Sequence, residues 1–414
     1  MSIPSTSLLD YASKIFQLKS AEQDPSTSDE LDDAHIIRPE GSIPPGVFAS
    51  LDDMVDTMVT AYGRIAVIDI DADEYLEALR SPNDQAGTSA AAAQGDTIKK
   101  LAVCKKPTFI VDRHYRILCC FLPGALAKAT QDDLTSAARE FKDVLRTRAF
   151  QPHWCLSCHA KDWRLNAKHF AKYSSGNVPC GTIPISPTSF TRKTNKVDHA
   201  HFGHACGPES KEPVVLEPAY KYESTQEPCP SPGFVRWKEV MDKFKDVHSP
   251  TLGPAETPAE RFEMMCHLAN IMLHFSHHDL YLAAHTAREE LFPSLAPSLN
   301  AWGTVCTSAT LTSNMTQSAM YRPPEGTYCE IIMHAGSWKT KIDLPEMNLQ
   351  LSYDAGAVVV LFGGMWKRQV QAYGELVEWV FSVEQPVLDH AGVDLPVWSI
   401  FPVDFDAMSE GEGM

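Results

Sequence analysis

Three stretches of this 414-residue chain carry side chains whose types and spacing could do chemistry. Cys155-Leu-Ser-Cys-His159 holds two thiols with two residues between them, a spacing that grips zinc from one tight turn. Cys180, Cys206, His199, His201 and His204 follow as candidates for the remaining ligands. A zinc ion there would be structural, pinning a segment with little apolar content; the plainer reading is an irregular loop with unconnected Cys and His. The same pentapeptide fits the Cys-x-x-Cys-His pattern of haem attachment, but a match of three fixed residues arises by chance. Next, His277-His278-Asp279 is formally a His-x-Asp, with His334 downstream. Two imidazoles and a carboxylate are the ligand set of non-haem Fe(II) sites with open positions. The plainer reading puts the triplet in or between helices, with Ser276 or Asp279 capping the next one. Third, Phe190-Thr-Arg-Lys-Thr-Asn-Lys196 lines up Arg192, Lys193 and Lys196, as a contact for phosphates or as a solvated loop.

Other chemistries lack their motifs. There is no Gly-x-Ser-x-Gly elbow and no Gly-x-x-x-x-Gly-Lys-Ser/Thr phosphate loop. A net charge of -17 argues against a generally polyanion-binding surface. Eleven cysteines is an odd count without a small-scaffold spacing. Cys104, Cys119, Cys120, Cys266 and Cys306 sit in apolar stretches and read as small buried hydrophobes. That usage predicts a reducing compartment, cytoplasm or nucleus. No run reaches the roughly 18–20 apolar residues of a membrane helix. Met1-Ser-Ile-Pro-Ser-Thr-Ser-Leu-Leu-Asp10 lacks a basic start followed by an apolar core, so no secretory signal is expected.

The elements that must position these residues fall into five stretches. Residues 1–35, Ser-, Asp- and Glu-rich, predict a disordered acidic tail, with room for a short helix at Ser7–Leu18. Residues 36–150 read as an N-terminal α/β portion. Ser50 with Asp53 resembles a helix cap, and Leu51, Met54, Val55, Met58 and Val59 follow helical spacing. Ile65–Ile70 reads as a buried strand, and Thr108–Asp112 with Tyr115–Phe121 as a hairpin. Gln131–Arg148 reads as a helix. Residues 151–256 form an irregular, Cys/His-rich excursion; over 150–222 nine Lys/Arg against five Asp/Glu make it locally basic. Residues 257–405 open on the capping box Thr257-Pro-Ala-Glu260. A second helix over Leu280–Leu291 is expected to stop at Phe292-Pro293. Strands follow near 305–313, 328–334, 349–353, 358–362 and 377–381, separated by Gly/Pro turns, a spacing that suggests a sandwich or jelly roll. Residues 406–414 read as a frayed tail. Trp366 and Trp379 read as core or rim aromatics.

The order of features from 257 to 400 resembles the Tet/J-binding-protein-like 2-oxoglutarate- and Fe(II)-dependent dioxygenases, a group expanded in basidiomycete fungi. The ordered set is a helix before Trp302, a strand with Thr310 and Asn314, and Pro323-Pro-Glu-Gly-Thr-Tyr-Cys-Glu330. Then come the Gly336-Ser-Trp338 turn, Leu344-Pro-Glu-Met-Asn-Leu349, Tyr353-Asp-Ala-Gly-Ala357 and Gly363-Gly364. The resemblance implies an α+β protein with a double-stranded β-helix (jelly-roll) core at about 300–385, flanked by helices and the N-terminal α/β portion. It also implies a His-x-Asp pair, a distal His, and an Arg for the cosubstrate. Where the pair belongs, this chain reads Gln317-Ser-Ala-Met-Tyr-Arg322, and the nearest acid, Glu325, lies beyond two prolines. Arg368 stands in place of the distal His, and Glu375-Leu376 in place of the Arg.

All four groups are missing, so the pocket is expected to be vestigial and lined by Asn314, Met320, Arg322, Tyr328, Arg368 and Leu376. A cation such as Arg368 repels a metal ion, and Glu375 repels 2-oxoglutarate. The expectation is a catalytically inactive dioxygenase-like protein without a cofactor, acting by binding a protein partner or small ligand. The alternative is an active Fe(II)/2-oxoglutarate nucleic-acid dioxygenase with non-standard ligands from the His-rich segments.

Overall fold

A computed structural model describes residues 6–23, 45–80, 101–141, 181–187, 257–313, 326–336, 340–372 and 376–402, with single positions at 234, 237–239, 242, 321 and 323. The helices are α1 (Thr6–Gln23), α2 (Pro45–Tyr62), α3 (Ala72–Arg80), α4 (Lys128–Arg139), α5 (Pro258–Ser276), α6 (His278–Leu299) and α7 (Gln385–His390). The strands are β1 (Ile65–Val67), β2 (Ala102–Cys104), β3 (Thr108–Val111), β4 (Ile117–Leu122), β5 (Gly181–Ile185) and β6 (Ser308–Ser313). They continue with β7 (Thr327–Gly336), β8 (Lys341–Leu344), β9 (Leu349–Ser352), β10 (Val358–Phe362), β11 (Gln369–Gln371) and β12 (Leu376–Glu384).

These strands form a mixed α/β architecture with two sheets. The larger runs β1-β3-β4-β10-β7-β12-β6-β5, and the smaller runs β11-β8-β9-β2. From β6 onward the chain passes back and forth between them: β6 and β7 lie in the larger sheet, β8 and β9 in the smaller, β10 in the larger, β11 in the smaller and β12 in the larger. The antiparallel bridge Tyr321–Arg368 extends the smaller sheet beyond β11.

Period-two patterning decides which side chains face which layer. On β7, Cys329, Ile331 and Met333 join the core that the larger sheet shares with α1, α2, α4 and α5. Ile332, between Glu330 and His334, points the other way. It packs with Val359, Leu361 and Val380 of its own sheet and Ile342, Leu344, Leu351 and Val370 of the smaller one. The larger sheet is therefore covered on both faces, which explains its nearly continuous apolar strands. It also makes Glu330, His334 and Glu378 conspicuous, since all three are buried. At the end of β10, Gly363 and Gly364 turn the chain with φ of +87° and +59°. A Cβ at Gly364 would meet the Thr327 carbonyl oxygen at 1.6 Å, so the turn admits only glycine.

Several sequence expectations hold. The Thr257–Glu260 capping box closes with both reciprocal hydrogen bonds, at 3.2 and 3.0 Å. The 108–121 hairpin forms as β3 and β4, which pair antiparallel. Trp366 and Trp379 are core aromatics whose indole N–H groups donate to the carbonyls of Phe362 and Leu134.

Others are corrected. The short helix expected at Ser7–Leu18 forms over a longer span, Thr6–Gln23, and as α1 it buries Leu8, Leu9, Tyr11, Ala12 and Ile15, so this part of 1–35 packs rather than forming a tail. Ser50 is no cap. The helix already starts at Pro45, whose fixed φ suits a first position, and the Ser50 hydroxyl is buried against Thr130 Oγ1 at 2.5 Å. Ile65–Ile70 is not a buried strand. Only 65–67 pair, at the sheet edge, and Ile65 and Val67 are 38% and 54% exposed. The second helix ends close to the expected stop: its backbone leaves helical geometry at Leu295 (φ −119°, ψ 15°), two residues past Pro293, and a further helical turn reaches Leu299, where Leu291 and Leu299 pack with Val387 of α7. The excursion is not wholly irregular: β5 pairs with β6, and Trp237 is buried against Phe262 and Trp302. The remainder of 1–35 and residues 406–414 lie outside the described residues.

Candidate functional site

The space between the two sheets is apolar along β10 and β4 and polar toward β7, β12 and the start of β11. Arg368 directly precedes β11 and is 8% exposed; its guanidinium pairs with Glu330 of β7, 2% exposed. The backbones of Arg368 and Tyr321 exchange two hydrogen bonds of 2.7 Å. That exchange stacks the guanidinium on the Tyr321 ring, 4.4 Å from its centroid. The Tyr321 hydroxyl donates to Glu330 Oε1 at 3.4 Å. Arg368 is thus a cation held by a carboxylate, an aromatic face and its own strand. Burial alone would lower its pKa; Glu330, Tyr321 and Glu378 more than offset that and raise it. At any working pH it stays charged.

A second group lies deeper. His334 of β7 and Glu378 of β12 are register partners. The His334 ring stacks on Tyr353, with centroids 4.4 Å apart and planes 24° apart. Neither imidazole nitrogen closes a hydrogen bond of good geometry. Burial drives the His334 pKa down to about 3, with only partial compensation from the backbone at Asp354 and Tyr353. The ring is neutral at pH 7. Burial raises the pKa of Glu378, opposed by Arg368 and the neighbouring Tyr353 hydroxyl. That hydroxyl sits beside Glu378 without a well-formed hydrogen bond.

The residues expected to line a vestigial pocket scatter. Arg368 is in the inter-sheet cluster. Leu376 is buried between the sheets at the start of β12. Tyr328 joins the other core, its ring against His277 and Trp398. Asn314, Met320, Arg322, Glu325 and Glu375 lie outside the described residues. So do the zinc candidates Cys155, Cys158, Cys180, Cys206, His199, His201 and His204, and the basic Arg192, Lys193 and Lys196.

The other iron register is not brought together. His277 is buried where α5 meets α6, against Phe362. Phe362 belongs to the helix-covered face of the larger sheet. His334 stacks on Tyr353 between the sheets. The two imidazoles lie on opposite faces of one sheet. Nor is Ser276 or Asp279 the cap of α6: His277 Nδ1 accepts from the Leu280 N–H at 3.2 Å, while the Ser276 hydroxyl donates to the Met272 carbonyl. Among the described residues no three His, Cys, Asp or Glu side chains converge as a metal set.

Thiol chemistry has no support in the five buried cysteines. Cys119, Cys120, Cys266, Cys306 and Cys329 are buried and unpaired. Burial pushes Cys306 up to about 12 and the other four higher, so none is a thiolate at neutral pH. Among the described residues no helix is long and apolar enough to cross a membrane.

Sequence reasoning singled out Arg368 but missed its partner. The signal was there: Glu330 interrupts Tyr-Cys-Glu-Ile-Ile-Met-His, and Glu378 interrupts Leu-Val-Glu-Trp-Val-Phe. An acid inside a strand buried on both faces demands a cation or a proton.

No family model matches this chain, and no curated protein matches it. Among solved structures, NgTET1 in complex with 5mC DNA is a distant neighbour at 11% identity and a TM-score of 0.35. The match covers 77% of this chain and 92% of that one.

Proposed function

We propose that this chain is a dioxygenase-like protein that performs no iron chemistry and acts by binding a protein partner or small ligand. The observation carrying this reading is the buried Arg368–Glu330 pair. The resemblance assigns the distal iron-binding histidine to position 368. A guanidinium already committed to a carboxylate cannot donate a lone pair to a metal and repels one by charge. The residues present do not fit Fe(II). The repeated passage of the chain between two facing sheets supports reading 308–384 as a jelly roll.

The unpaired thiols favour a reducing compartment, cytoplasm or nucleus. The net charge of -17 favours a protein or small-molecule partner over a nucleic acid. A structural zinc ion at Cys155, Cys158, Cys180 and Cys206 is compatible with this role.

The test is thermal unfolding with Mn(II), a redox-silent stand-in for Fe(II), with and without 2-oxoglutarate. A functional inner site stabilises by mass action when both are present. The expected result is no shift that depends on 2-oxoglutarate. A saturable stabilisation that requires both metal and cosubstrate would overturn the proposal.

A further inference from the structure

The junction of α5 and α6 brings a different pair of imidazoles together, outside the space between the sheets. His274 lies in the last turn of α5, and His278 is the first residue of α6. Between them His277 breaks the helix at φ −160° and ψ 80°. Their Nδ1 atoms are 3.1 Å apart, and the rings cross at 84°. His274 is half-buried, with edge contacts to Phe275 and Tyr281 at 5.5 and 5.3 Å. His278 is exposed to solvent. Asp10 of α1 lies close enough to bring negative charge to His274.

The nitrogen separation is the informative quantity. At metal–nitrogen bonds of about 2.0–2.1 Å, two donors lie about 2.9 Å apart when cis in an octahedron and about 3.4 Å apart in a tetrahedron. The observed 3.1 Å falls between these values. We infer that His274 and His278 form a two-imidazole chelate for a divalent transition metal of the class that prefers imidazole, Ni(II), Cu(II) or Zn(II). Among the described residues no third His, Cys, Asp or Glu converges on the pair, so water completes the coordination. Without metal, one neutral ring donates its Nδ1–H to the other. When metal enters, that proton moves to Nε2 of the same ring. Both Nδ1 lone pairs then face the ion, with no net proton release.

This site is independent of the proposed function, because its metal binding needs no 2-oxoglutarate. Isothermal titration of the full chain with Ni(II) tests it, comparing the parent with His274→Gln, His278→Gln and, as a control, His285→Gln. The parent and the control should bind one Ni(II) per chain more than the other two, or bind it roughly tenfold or more tightly. His278 is exposed, so its variant should fold; an unchanged melting temperature verifies this, and His278→Gln alone decides if His274→Gln is unstable. Equal stoichiometry and affinity in the parent and His278→Gln would overturn the inference and leave a plain imidazole–imidazole hydrogen bond.

Discussion

Replacing Arg368 by Met leaves the Glu330 carboxylate buried between the two sheets without its cation. Breaking one side of a buried pair costs about 3–5 kcal/mol, against a total stability of about 5–15 kcal/mol for an ordinary domain. The reverse change, Glu330→Met, should cost less than Arg368→Met. Glu378 also acts on the guanidinium, so Arg368 keeps a nearby carboxyl, whereas Glu330 keeps only the long 3.4 Å hydrogen bond from the Tyr321 hydroxyl. The double variant removes both charges at similar volume, so its cost should fall below the sum of the singles by about 2 kcal/mol or more. Urea unfolding followed by circular dichroism at pH 7 measures all four corners of the cycle.

Additivity of the two single changes within about 0.5 kcal/mol would refute the argument that the pair holds this interior together.

Three further outcomes follow from the same fold. His334 has a folded pKa of about 3 against about 6.5 unfolded, so its contribution is present above 6.5 and lost as pH falls toward 3. His334→Phe should flatten the acid slope between pH 6 and 4.5 by up to about 1.4 kcal/mol per pH unit, read from urea midpoints at each pH; an unchanged slope would count against the neutral buried ring. Gly364→Ala, at φ +59° and 1.6 Å from the Thr327 carbonyl oxygen, should cost more than the roughly 1–3 kcal/mol of a strained backbone alone, seen as a lower urea midpoint. Thr257→Ala should cost about 1 kcal/mol through the lost cap of α5, with the melting temperature as the readout.

How much was legible in the sequence depends on whether a local signal had a tertiary competitor. The capping box at Thr257 and the 108–121 hairpin are read from neighbouring residues, and both formed as expected. Ser50 offers the same kind of local signal and misleads, because Pro45 had already started the helix and the hydroxyl was claimed by Thr130, 80 positions away. Pro293 places the break to within two residues: the backbone leaves helical geometry at Leu295, and the further turn beyond it ends on Leu299, which has a packing partner in α7. Ile65–Ile70 reads apolar enough for a core strand, and nothing local reveals that it lies at a sheet edge.

The candidate site was legible on one side only. Arg368 stood out because a resemblance assigned a histidine to its position. Glu330 could have been found without any resemblance, from burial alone. Alternation along β7 puts Glu330, Ile332 and His334 on one face, and strands buried on both sides leave no solvent to carry a charge. Such an acid must find a cation, and the arginine that opens β11 on the facing sheet is one that the register can deliver. The same reasoning applied to His334 predicts a neutral ring, and applied to Glu378 a carboxyl whose pKa burial raises and Arg368 opposes. Among the described residues the inter-sheet space then holds a satisfied ion pair and no converging set of metal ligands, and the Arg368 and Glu330 cycle measures how much that pair contributes to stability.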